Sequence, residues 1–204
     1  MSSLIAAARR DPSFAEDHVR PNANGTVSVL LYNDQRHPQW ITVTGPLPAD
    51  GASLMGAHGH VSPWNVSSPT WVSYYEKALA QSVDRAPMDL IGAEGTYRSF
   101  DWGNDAQGSM PTITGHESVD ISTSVRGAFD TVSSDARAGK LVTINTKDHD
   151  YSSHIPGYVG NHEFYFQSFD QQGNMVFGNP WGSRAATITV TPDNVDYFIE
   201  WTVG

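Results

Sequence analysis

The chain of 204 residues contains no cysteine. That absence excludes disulfides, thiolate-ligated zinc and thiolate catalysis by any residue within it. Basic charge is scarce too: 12 lysines and arginines stand against 22 aspartates and glutamates, a formal net charge of -10. Phosphate backbones and anionic bilayers repel such a surface, which argues against nucleic acid and membranes as partners. No run approaches the roughly 20 consecutive apolar residues that span a bilayer. The opening MSSLIAAARRDP has its arginines after its short apolar run, the reverse of a secretory signal. A soluble protein is expected, with a cytoplasmic location favoured.

What is present suffices for a core: 39% of the residues are hydrophobic, enough for one large domain or two small lobes. Residues 2–10 read as a helix with almost no polar face, one that requires burial. Asp11 and Pro12 supply a cap and a first-turn proline for a second helix reaching about residue 19. TVSVLLY and QWITVTG, either side of NDQRHP, read as a hairpin. Residues 46–69 are dense in Gly, Pro, Ser and His and read as a long irregular loop. From Thr70 onward Trp71, Tyr74, Tyr75, Ala78 and Leu79 recur at helical spacing. Residues 92–117 read as turn-rich, with a lobe boundary near 112–115. A helix over 125–138, stopped by Gly139, precedes the strand KLVTINT. HEFYFQSF, NMVFGNP, AATITV and VDYFIEWTV complete the chain as strands.

One stretch concentrates chemistry: GNHEFYFQSFDQQGNMVFGNPWG, residues 160–182. A turn at about 170–174, with Gly173 free to take positive φ, would bring Asn179 to within two or three residues of directly opposite His162. An asparagine carbonyl bonded to one imidazole nitrogen fixes the ring and its tautomer, and frees the other nitrogen to act as a base. Trp181 can shield that bond from water. Spacing alone equally allows His162 to be an ordinary strand residue, Asn179-Pro180 an ordinary turn and Trp181 core.

Taken in order, several segments resemble the protease core of the calpain family, papain-like cysteine endopeptidases. TWVSYYEKALAQ is similar to the family's Trp…Glu-Lys-Ala-Tyr-Ala helix, with Leu79 in place of the tyrosine. NHEFYF resembles its Gly-His-Ala-Tyr strand, and GNPWG its Arg-Asn-Pro-Trp-Gly. WITVTGPLPADG and ITGHE fall where the family has Val-Asp-Asp-x-Leu-Pro and Thr-Gly-Gly. The resemblance implies His162 as catalytic histidine, Asn179 as its orienting asparagine and Trp181 as the tryptophan covering them. It further implies an α+β papain-like fold. Residues 1–113 would be the remainder of the helical, cysteine-bearing lobe, and 114–204 an antiparallel β lobe carrying His162 and Asn179.

In that family the cysteine heads a buried helix, in a Gly-Asp-Cys-Trp-like turn. MSSLIAAARRDPSFAE resembles the helix from just past the cysteine onward. The resemblance therefore implies a nucleophile upstream of Met1, and a 204-residue chain without peptidase activity of its own. Departures are the Asn161 and Glu163 flanking His162, Gly178 in place of arginine, and SRAATITV in place of a tryptophan-rich loop. The expected partner is a protein or peptide substrate.

Other readings stay open. A catalytically dead module of the same fold could hold peptide without cutting it. A metal-dependent hydrolase could draw on His58 and His60, or on Asp148, His149, Asp150 and His154, although no third ligand is set by spacing. No cofactor is expected. Calcium stays an open question: Glu94, Asp101 and Asp105 in a glycine-rich loop are open as ligands, and no run has a defined calcium pattern.

Overall fold

The structure, a computed structural model, describes residues 1–44, 60–62, 65–68, 70–82, 106–181 and 186–204. It is α+β with antiparallel sheets. The chain divides into two compact units, one of Met1–Pro12 with Asp105–Gly204, the other of Ser13–Asn104. The first helix, assigned by sequence to the lobe before residue 113, therefore groups with the sheet that follows it.

In the unit of Ser13–Asn104, α2 (Phe14–His18) leads into β1 (Val19–Pro21), β2 (Val27–Tyr32) and β3 (Pro38–Thr42), a three-stranded sheet in that order. The expected hairpin is β2 with β3, antiparallel, Leu30 opposite Trp40. The second helix starts later than Asp11-Pro12 suggests, with Ser13 at its N-cap position. Val29 and Leu31 of β2 are buried with Phe14 and with Tyr75 and Ala78 of α3 (Trp71–Ser82). Burial pushes the Tyr75 phenol well above its ordinary pKa, and the hydroxyl donates to Leu30 O at 3.1 Å. Within residues 46–69 two short strands pair antiparallel, β4 (His60–Ser62) and β5 (Asn65–Ser68).

The other unit is built on a six-stranded sheet. α1 (Ser2–Arg10) and α4 (Ala106–Thr114) are its first helices. The strands are β6 (Val119–Ser122), β7 (Val142–Thr146), β8 (Glu163–Phe169), β9 (Met175–Gly178), β10 (Ile188–Val190) and β11 (Phe198–Val203), with α5 (Ala128–Arg137) between β6 and β7. They are ordered β10-β9-β8-β7-β11-β6, and every neighbouring pair is antiparallel. Side chains alternate across the sheet. Ile144, Phe164 and Trp201 lie on one face, where they join Val132 and Ala136 of α5 in the core. Each such fully buried large side chain contributes about 1.5–3 kcal/mol.

The opposite face carries Thr143, Tyr165 and Thr202 in register. α1 belongs there, because Arg9 stacks over the Tyr165 ring. The expected burial of this helix is met with small residues, Ser2, Ser3, Ala6 and Ala7, which let it approach its neighbours closely. Ser3 and Ser109 of α4 hydrogen-bond through their hydroxyls at 3.1 Å.

Three local expectations are corrected. The turn-rich reading of 92–117 gives way from Ala106 to α4, which contains Pro111 and buries Met110 and Ile113. The helix expected from 125 starts at Ala128, after Gly127 takes φ 77°. Strand β6, at the sheet edge, has no counterpart in the sequence reading, because four residues carry too little alternation.

Candidate functional site

Strands β8 and β9 deliver the two candidate residues. Asp170 closes the turn between them: its carboxylate accepts from the Gln172 and Asn174 N–H groups at 2.9 and 2.8 Å. The Asn174 side-chain amide donates to the other carboxylate oxygen at 2.9 Å, and this bond first, then the backbone ones, holds the Asp170 pKa below the usual carboxylate range. Gly173 takes φ 85°, as the turn requires. With that turn set, Tyr165 falls opposite Gly178. One further step of the ladder puts Asn179 opposite Phe164, two residues from His162. The sequence reading of this juxtaposition holds.

The side chains meet as well. His162 Nε2 is 3.1 Å from Asn179 Oδ1, and Asn179 is buried. The Trp181 backbone N–H donates to the same Oδ1 at 3.0 Å. A backbone N–H can only donate, so the Asn179 atom it meets must be the oxygen. That oxygen cannot donate to the imidazole, so Nε2 carries the proton and Nδ1 keeps the lone pair. Asn179 thus sets both ring orientation and tautomer, which leaves Nδ1 as the basic nitrogen.

Burial is the main influence on the titration of His162 and lowers its pKa; the Asn179 bond opposes this, and the Met1 amino group adds a push downward. Two rings pack against the imidazole, Phe164 at 4.9 Å in an edge-on arrangement and Trp181 at 4.6 Å. Trp181 is nonetheless 69% exposed, so its indole covers the imidazole from the solvent side and is not core. Glu163, the next residue, lies on the Tyr165 face of the strand, opposite that of His162.

Two residues beside the pair have a local geometry of their own. Asn161 takes φ 51°; asparagine is among the few side chains that tolerate this left-handed backbone. A Cβ on Gly178 would run into the Tyr165 ring, which fills the space a side chain there would need.

The head of α1 lies beside this site. Ser2 Oγ donates to Glu163 O at 2.8 Å, one residue from His162. One further residue escaped the sequence reading. Thr146, the last of β7, accepts the His162 N–H on its hydroxyl at 2.8 Å. Nothing in KLVTINT marks that threonine, because its role depends on which strand lies beside it.

The metal readings gain no geometry. Among the described residues, no three His, Cys, Asp or Glu side chains converge to hold an ion. His149 and His154 turn instead to the Tyr151 ring, at 4.7 and 6.3 Å. His58, Glu94, Asp101 and Asp105 lie outside the described residues, as does the His60 side chain. Among the described residues, no helix is long and apolar enough to cross a membrane. Comparison with known proteins finds no matching family model and no matching curated sequence.

Proposed function

We propose that His162 and Asn179 are the base and its orienter in a calpain-like cysteine endopeptidase core, acting on a protein or peptide substrate. The observation that carries this reading is the Nε2 to Asn179 Oδ1 bond of 3.1 Å, with the carboxamide locked by Trp181. This is the arrangement that a thiol–imidazole–amide triad demands of its last two members. Support comes also from α1, whose head is tied to Glu163, the residue next to His162, through the Ser2 hydroxyl. A cysteine carried on a segment joined to Met1 would lie at the start of this helix, where the helix dipole favours a thiolate.

In that reaction Nδ1 takes the thiol proton, the thiolate attacks the peptide carbonyl carbon, and the imidazolium returns the proton to the leaving amine. Water then cleaves the acyl-enzyme, with His162 again as base.

The 204-residue chain contains no nucleophilic cysteine and is expected to show no thiol-sensitive hydrolysis. The test extends it upstream of Met1 with the in-frame residues of its gene, or with a designed Gly-Asp-Cys-bearing turn, and assays a peptide reporter. Cleavage that iodoacetamide blocks and His162→Ala abolishes supports the reading. Peptide binding without cleavage by the gene-encoded extension would instead favour a non-cutting module.

A further inference from the structure

We infer that Thr146 is a positioning residue for His162, holding the backbone from which the imidazole projects. This rests on the reading of His162 as a base. The regular ladder between β7 and β8 ends at Asn145 opposite Glu163, and the next step places Thr146 against His162. There the chain leaves the sheet for residues 147–161, a loop whose neck closes where Asn161 N–H donates to Lys147 O at 3.0 Å. His162 is therefore the residue at which a long loop rejoins the sheet, preceded by the left-handed Asn161. Without a clamp at that point, motion of the loop would pass directly into the imidazole.

Thr146 is that clamp. Its backbone N–H donates to His162 O at 2.9 Å. Its hydroxyl accepts the His162 N–H at 2.8 Å. The single hydroxyl proton faces two carbonyls, Val159 O at 2.7 Å and His162 O at 2.9 Å. One buried hydroxyl, on a side chain 1% exposed, thus replaces a missing ladder bond and ties the returning loop to the strand. Such a group, out of reach of water, has no substitute when removed.

The test uses the full 204-residue chain and reads the imidazole and the backbone by NMR. Thr146→Val keeps the shape and deletes the hydroxyl; Thr146→Ser keeps the hydroxyl. In Thr146→Val, exchange of the His162 amide is expected to quicken by about tenfold or more. The slowly exchanging Nε2–H signal of the Asn179 bond is expected to be lost, while the Phe166 and Phe177 amides keep their protection. Thr146→Ser is expected to retain the Nε2–H signal. The inference is overturned if Thr146→Val keeps both signals, or if the hairpin amides lose protection by the same factor as His162. Should Thr146→Val not fold, the serine variant decides: loss of its Nε2–H signal with the hairpin intact also overturns it. These readouts need no cysteine, so inactivity of an extended chain would leave them unaffected.

Discussion

The Trp181 backbone N–H, 3.0 Å from Asn179 Oδ1, decides which atom of that carboxamide faces His162. The imidazole must then present a protonated Nε2, and its basicity is confined to Nδ1. Tautomer and orientation of that side chain are therefore set from a turn two residues long. Variants at the four positions below separate those contributions.

Asn179→Ala removes a buried acceptor serving two donors and should cost about 1–3 kcal/mol of stability, read as a lower urea midpoint. Asn179→Asp should move the His162 titration to higher pH, because a carboxylate in contact favours the imidazolium. An unchanged or lower titration midpoint in Asn179→Asp would mean that the two side chains do not meet.

Trp181→Ala should also raise the His162 titration, since burial is the leading cause of its depression and the indole lies 4.6 Å from the imidazole. Stability should change by less than about 0.5 kcal/mol, as expected for a largely exposed side chain. A large loss of stability with no shift in the imidazole would assign Trp181 to packing instead of shielding.

The folded chain holds His162 below its ordinary value of 6.5. Between that depressed value and 6.5 the unfolded chain binds the proton more readily, so stability rises with pH across this window. The contribution is fully present above about pH 6.5 and is lost as pH falls through the folded value. Urea midpoints at about pH 5 and about pH 7.5 should therefore differ less in His162→Gln than in the parent. Equal differences would remove the buried imidazole from the acid sensitivity of the fold.

Asn161→Gly should be tolerated, and Asn161→Ala should cost about 1 kcal/mol, because only glycine and asparagine enter the left-handed region cheaply. Thermal unfolding of the two variants is the check. An alanine variant as stable as the glycine variant would mean that the backbone at 161 does not require positive φ.

Much of this architecture is legible locally. The β2–β3 and β8–β9 hairpins follow from alternation and turn residues a few positions apart, and Asp170 with Gly173 is enough to set the second register. Because that register was readable, so was the meeting of His162 with Asn179. Helix α4 was not, since AQGSMPTIT contains a glycine and a proline that local propensity counts against a helix. Its burial of Met110 and Ile113 outweighs that preference.

The sequence by itself therefore determined the absence of a thiol within these residues, and also most of the strands and the histidine–asparagine juxtaposition, which depend on neighbours along the chain. Tertiary structure alone decided the rest: α1 packed with the later sheet, Thr146 clamping the His162 backbone, Asn161 in a left-handed turn and Trp181 at the surface. Those features depend on contacts between residues far apart in sequence, or on backbone angles that such contacts impose. No local pattern encodes them.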